Sequence, residues 1–342
     1  MRVGSFCGGK MNELIDAFLE FKQHNAGRSA RTVQVYLLAL NRLVDFLDGR
    51  DPLEASQDDL LAFSGPHLHK MGLSPASRNV HIVAMKEFYK WLAATRKISG
   101  SPAASVPYPK RPQHLQRVMT LKSAEKLMWA PDFDTFEGVR DSAMLALLMG
   151  CGLRVTGLVS LNESNLVEDE LNSKVRMILK VVEKGSKERK LSVPPEADLL
   201  LRLYLAHDDL KEIDRTLPNG DKVLFVTVRN RNVPAHEYSG ENRRFNRRSV
   251  LQMVKKYGQR IGIPEDQLHP HAMRHLFGTE LAEEEVDLLV RQRLMGHADP
   301  KSTAIYTNLA MRKLTSESDR ANPLAKMSTP VSALLKQLGK KG

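Results

Sequence analysis

Cysteine is almost absent from this chain: two occur in 342 residues, Cys7 and Cys151. A pair so far apart, without metal-ligand spacing, supports neither a disulfide framework nor a thiolate zinc site. Long apolar runs are missing as well. The longest, around Ala143–Leu153, is too short to cross a bilayer and reads as a core helix. The first ten residues, Met1 to Lys10, lack the apolar centre of a signal peptide. No internal repeat and no low-complexity tract is present, which excludes solenoid and array architectures. Together these absences point to a soluble, cytoplasmic protein.

Negative charge is the scarcer sign. Lys and Arg number 51 against 40 Asp and Glu, a formal charge of +11. That excess favours a polyanionic partner, and nucleic acid is preferred to a membrane because no amphipathic basic segment stands out. At this length two domains are expected, each large enough for a core of its own.

Residues 1–10 read as a flexible leader and 11–97 as a helical domain. From Met11 the residues Leu14, Ile15, Phe18 and Leu19 fill one helical face, until Asn25 and Gly27 break it. Ser29 is a candidate N-cap for a second helix carrying Val33, Tyr36, Leu40, Leu43 and Val44. A third helix is expected over Gln57–Met71, and a fourth from Ser74-Pro75 to about Thr95. Exposed Arg28, Arg31, Arg42, Lys70, Arg78 and Lys86 are candidate DNA contacts on these helices. Residues 98–118 are rich in proline and small residues, so they predict an extended linker whose Lys110, Arg111 and Arg117 meet phosphates.

A second, catalytic domain is expected over 119–315. It opens with an apolar helix from about Phe136 to Met149. Val175–Val182 reads as a strand, paired with Arg189–Val193 across a turn containing Lys184 and Gly185. Helices are expected around Ala197–Ala206 and Ser249–Ile261, with a strand-like run at Val223–Val226. Arg243, Arg244, Arg247 and Arg248 add a second group of candidate DNA contacts. The fold class is therefore mainly α with a small antiparallel β-sheet. Residues 316–342 form a tail in which Val331, Leu334, Leu335 and Leu338 recur at helical spacing, so a short docking helix is expected there.

The chemistry concentrates in 271–306. His271 and Arg274 are three residues apart and project from one helix face, able to grip one anion. His297 and Tyr306 follow nine residues apart. Upstream, Arg154 sits in Gly150-Cys-Gly-Leu-Arg154-Val, directly after the apolar helix, and Lys184 lies at the hairpin turn. Two arginines can hold the two non-bridging oxygens of a phosphodiester. His271 and His297 can donate to the same oxygens or handle a phenol proton. Crowded cations would lower the Tyr306 pKa from its usual value of about 10 and favour attack on phosphorus. A mobile Lys184 suits protonation of the leaving oxygen. No carboxylate cluster accompanies these residues, so no metal or other cofactor is implied.

In order and spacing, Arg154, Lys184, His271, Arg274, His297 and Tyr306 resemble the active-site set of the tyrosine recombinase (phage integrase) family. Gly-Leu-Arg154-Val resembles its first arginine box and Lys184-Gly-Ser-Lys-Glu-Arg its β-hairpin lysine box. His271-Ala-Met-Arg274-His275 resembles its HxxR box, and Leu294-Met-Gly-His297 with Ile305-Tyr306-Thr307 the remainder. The resemblance covers roughly residues 11–315 and implies a SAM-like core-site-binding domain ahead of the catalytic one. It also implies cleavage and rejoining of duplex DNA through a 3′-phosphotyrosine, by a homo-tetramer on inverted half-sites, in a Xer-like or integrase-like role. A catalytically silent DNA-binding relative and a nicking and closing enzyme of the type IB topoisomerase kind are the alternatives. One departure stands out: Gly157 occupies a position where the family usually has an acid beside the arginine. Asp141, Glu163 or Glu183 are acids that could take its place.

Overall fold

In the computed structural model, residues 8–110, 119–171, 174–183, 187–230, 233–296, 315–332 and 334 are described. The chain divides into two compact units, 1–115 and 116–342.

The first unit is all helical: α1 (Gly8–Glu20), α2 (Ala30–Leu47), α3 (Gln57–Ala62), α4 (Leu68–Lys70) and α5 (Pro75–Ala94). Its starts follow from side-chain caps. Ser29 accepts from the Thr32 amide, Ser56 and Asp59 form a capping box, and Ser74 accepts from the Ser77 amide ahead of Pro75. The single helix expected over Gln57–Met71 is instead interrupted by a wider turn at Phe63–His67, which contains Pro66. Proline lacks the amide hydrogen and clashes with the preceding turn, so the regular ladder cannot continue through it. Apolar faces of α1, α2 and α5 meet in a core that includes Ile15, Phe18, Leu40, Leu43 and Phe88. Ala103 and Val106, from the proline-rich stretch, are buried in this same core. Lys86 on α5 holds that stretch by donating to the Ala104 carbonyl, with its ammonium over the Tyr108 ring.

The second unit is built around α7 (Phe136–Gly150), whose residues from Gly138 to Gly150 are all buried. Around it pack α6 (Leu121–Met128), α8 (Val155–Val159), α9 (Pro195–Ala206), α10 (Asp208–Lys211), α11 (Arg247–Arg260), α12 (Pro270–Glu283) and α13 (Leu288–Met295). A three-stranded antiparallel sheet in the order β1-β2-β3 joins them, with β1 at Leu166–Leu171, β2 at Lys174–Glu183 and β3 at Lys187–Ser192. Glu183 opposes Lys187 at the end of the β2–β3 ladder. The run Val223–Val226 is fully buried but makes only isolated bridges, to Asn162 and Arg244, so it threads the core without becoming a strand.

The polar segment after residue 315 is docked on its own unit. Asn322 donates to the Gly150 carbonyl at the end of α7 and Lys326 pairs with Glu280 and Glu284. Ser328 accepts from the Trp129 indole through its carbonyl. Of the expected apolar stripe, Val331 is buried in the core at 3% exposure and Leu334 is 47% exposed. Leu335 and Leu338 lie outside the described residues.

Candidate active site

The entry to α12 fixes the HxxR pair. His269 is the N-cap, its Nδ1 accepting from the Ala272 amide at 3.0 Å, and Pro270 takes the first helical position. His271 is consequently exposed on the first turn, while Arg274, one turn further, is only 5% exposed. The Arg274 guanidinium donates to the carbonyls of Gly152 and Met295. It thus ties the connection between α7 and α8 to the end of α13. Gly152 has a left-handed backbone, φ +57°, and a Cβ there would stand 2.3 Å from Phe277 Cδ1. Only glycine lets the α7–α8 connection pass this close to α12.

Arg154 is the N-cap residue of α8, half-buried, and its Nη2 donates to the Gly296 carbonyl at 3.0 Å. Gly296 closes α13 in the left-handed region, φ +61°. Arg154 and Arg274 therefore converge on neighbouring carbonyls at one helix end, where backbone acceptors lack intrahelical partners and the helix dipole is negative. Although His271 is exposed as a residue, partial desolvation of its ring, followed by the nearby His275, Arg274, His269 and Arg154, lowers its pKa from the ordinary value. The His275 ring centre lies 6.4 Å from that of His271.

Gly157 is buried, and a Cβ at that position would meet Val181 Cγ1 at 3.2 Å. Two of the acids considered as substitutes are engaged elsewhere. Asp141 accepts from Arg140 and from the Tyr257 hydroxyl, and Glu163 accepts from Arg215. The Glu183 side chain lies outside the described residues, as do Lys184, His297 and Tyr306. Chain connectivity leads from Gly296 directly into His297 and from Glu183 into Lys184. The Cys151 thiol is wholly buried beside the site, and burial pushes its pKa up to about 12. Among the described residues no group of three His, Cys, Asp or Glu side chains could hold a metal ion.

One arginine that the sequence reading passed over joins this site. Arg189 on β3 donates to the carbonyls of Leu294 and Arg293 in the last turn of α13. Its signal was already in the box Lys184-Gly-Ser-Lys-Glu-Arg189, as the charge closing it.

The family profile for the phage integrase N-terminal SAM-like domain matches residues 14–97, and that of the phage integrase family matches residues 117–313. The chain belongs to the phage integrase family. Tyrosine recombinase XerD of Listeria innocua is 32% identical, over 92% of this chain and 100% of the relative. XerD of Haemophilus influenzae is also 32% identical, over 91% and 98%. XerC of Shewanella amazonensis is 31% identical, over 91% and 96%. The fold is shared with the XerH recombinase bound to difH substrate, at TM-score 0.61 and 15% identity over 89% of this chain and 80% of that one. The Tn1549 transposon integrase complex gives TM-score 0.62 and 18% identity over 86% and 97%. This phage integrase family member is a DNA strand-transferring enzyme that performs site-specific recombination by the tyrosine mechanism.

The candidate DNA contacts of this recombinase fall into two groups. Arg28 just ahead of α2, Arg31 on its first turn, Lys110, and Arg247 and Arg248 on the first turn of α11 are exposed. Others serve the fold. Arg244 donates to the Val159 and Leu161 carbonyls and to Asn162, Arg243 stacks on Tyr238, and Lys86 holds the chain at Ala104. Arg78 is half-buried. Arg111 lies outside the described residues.

Proposed function

We propose that this recombinase uses Tyr306 as its nucleophile, with Arg154, Lys184, His271, Arg274 and His297 as catalytic partners. The observation supporting this assignment best is the convergence of Arg154 and Arg274 on adjacent carbonyls immediately ahead of His297. Two fixed, permanently charged guanidinium groups suit the non-bridging oxygens of one phosphodiester, whose charge grows as the phosphorane forms. The Tyr306 oxygen attacks phosphorus and its proton passes to a histidine. His271, whose pKa its surroundings lower, fits that acceptor role. The bond from phosphorus to the 5′-oxygen breaks, and Lys184 gives that oxygen a proton. The 3′-phosphotyrosine keeps the energy of the diester, so a second 5′-hydroxyl reverses the step without nucleotide.

The partner is double-stranded DNA bearing inverted half-sites, filled by a homo-tetramer in the cytoplasm at the nucleoid. The net charge of +11 and the exposed Arg28, Arg31, Lys110, Arg247 and Arg248 supply the phosphate contacts. Movement or resolution of a mobile element is the biological setting, with no accessory protein specified by the chain itself.

A plasmid carrying two copies of a site, selected by binding from a random duplex pool, tests this reading. The wild-type chain should yield deletion or inversion products, and Tyr306→Phe should yield none while retaining site binding. Relaxed topoisomers without recombinant product would assign nicking and closing instead. Recombination by the Phe variant would remove Tyr306 from the mechanism.

A further inference from the structure

We infer that Arg189 is a positioning residue for the arginine pair, an inference that rests on Arg154 and Arg274 being the phosphate ligands. Arg189 stands opposite Val181 in the β2–β3 ladder and reaches out of the sheet to the end of α13. It takes the Leu294 carbonyl and, at 3.4 Å, that of Arg293. Arg274 takes the next, Met295, and Arg154 the one after, Gly296. Guanidinium groups from three separate elements thus share four consecutive carbonyls. The Arg293 carbonyl also takes the Gly296 amide, and the other three are acceptors of the kind a helix end leaves open, so the turn is a template on which the arginines are set relative to one another.

The template matters because Arg154 has Gly157 three residues on, where no side chain can support it and a Cβ would press on Val181 Cγ1 at 3.2 Å. With glycine at 157, the Arg154 guanidinium takes the Gly296 carbonyl at the end of α13. Nε and Nη2 of Arg189 are sealed from solvent, unlike those of a surface arginine. Removing Arg189 opens the Leu294 carbonyl to water and loosens the turn that carries Met295 and Gly296. Arg274 and Arg154 then lose their common register without either being altered.

Arg189→Met and Arg189→Lys in the full chain, assayed on two duplexes, test this. One duplex has an ordinary scissile phosphodiester. The other has a methylphosphonate there, with a methyl group in place of one non-bridging oxygen and no charge for the arginines to neutralise. Arg189→Met should form covalent adduct on the phosphodiester roughly 10–100-fold more slowly, as expected for misplaced groups, with unchanged half-site affinity. On the methylphosphonate it should match the wild type. Arg189→Lys, able to serve one carbonyl, should fall between and covers the case in which the Met variant does not fold. Equal losses on both duplexes, or no loss on either, overturn the inference. Arg154→Ala and Arg274→Ala are the controls: each should recover on the methylphosphonate. If neither recovers, the pair does not bind the phosphate, and the underlying reading falls together with the role of Arg189.

Discussion

Gly152→Ala probes the narrowest point of the site. At φ +57° an added Cβ is strained in itself, by roughly 1–2 kcal/mol. It would also stand 2.3, 2.9 and 3.1 Å from three atoms of the Phe277 ring. That ring is 1% exposed and lies in the core of the second unit, so it has no solvent to retreat into. Overpacking of this kind costs about 1–3 kcal/mol. The sum, about 2–5 kcal/mol, corresponds to a fall in Tm of roughly 10 °C for a unit of this size. The effect should reach the chemistry too, because the Gly152 carbonyl accepts from Arg274. Displacing it by about 1 Å should slow covalent adduct formation by around 10²-fold. Thermal melts of the free protein and single-turnover cleavage of a labelled duplex measure the two effects. A variant with wild-type Tm and wild-type cleavage would refute the claim that the α7–α8 connection and α12 lock each other.

In an NMR titration of the free protein, His271 should titrate below the ordinary value of about 6.5, and a bound duplex phosphate should raise it. Because the folded pKa is depressed, the unfolded chain takes the proton first as pH falls; stability is fully present above about 6.5 and declines below it. His81 is depressed by burial as well and acts in the same window, so site-resolved signals are needed; a His271 pKa at or above 6.5 in the free protein would contradict the geometry. Deleting residues 330–342 removes buried Val331 and should destabilise the free monomer by roughly 1.5–3 kcal/mol, an upper range for one apolar side chain. A monomer with unchanged Tm would mean that this segment docks elsewhere.

The six candidate catalytic residues stand out in the sequence because phosphoryl chemistry calls for those types at such spacing; the structure describes three of them, Arg154, His271 and Arg274. Helix starts were legible for a similar reason: Ser29 and Ser74 are capping residues with one local job. Elements defined by distant partners were not. The edge strand Leu166–Leu171 carries three acids, Glu168, Asp169 and Glu170, and shows no apolar alternation. Val223–Val226 has the composition of a strand, but composition cannot tell a strand from a buried connecting peptide. Charge alone also fails to sort cations by task. Arg244 and Lys86 also donate to the Val159, Leu161 and Ala104 carbonyls, a task that charge does not reveal. The docked segment after residue 315 has the composition of a polar tail because its anchors, Asn322 and Lys326, are polar. Arg189 was visible as a charge, yet its carbonyl partners lie about a hundred residues further along the chain.

The central claim is that one tyrosine carries the DNA strand through a covalent bond. Its most direct measurement is peptide mapping by mass spectrometry of the adduct formed on a nicked duplex in excess EDTA. The adduct should carry a nucleotide joined through its 3′-phosphate to the oxygen of Tyr306, in a yield unaffected by the chelator. A nucleotide on any other side chain, or an adduct that forms only when Mg²⁺ is restored, would contradict it.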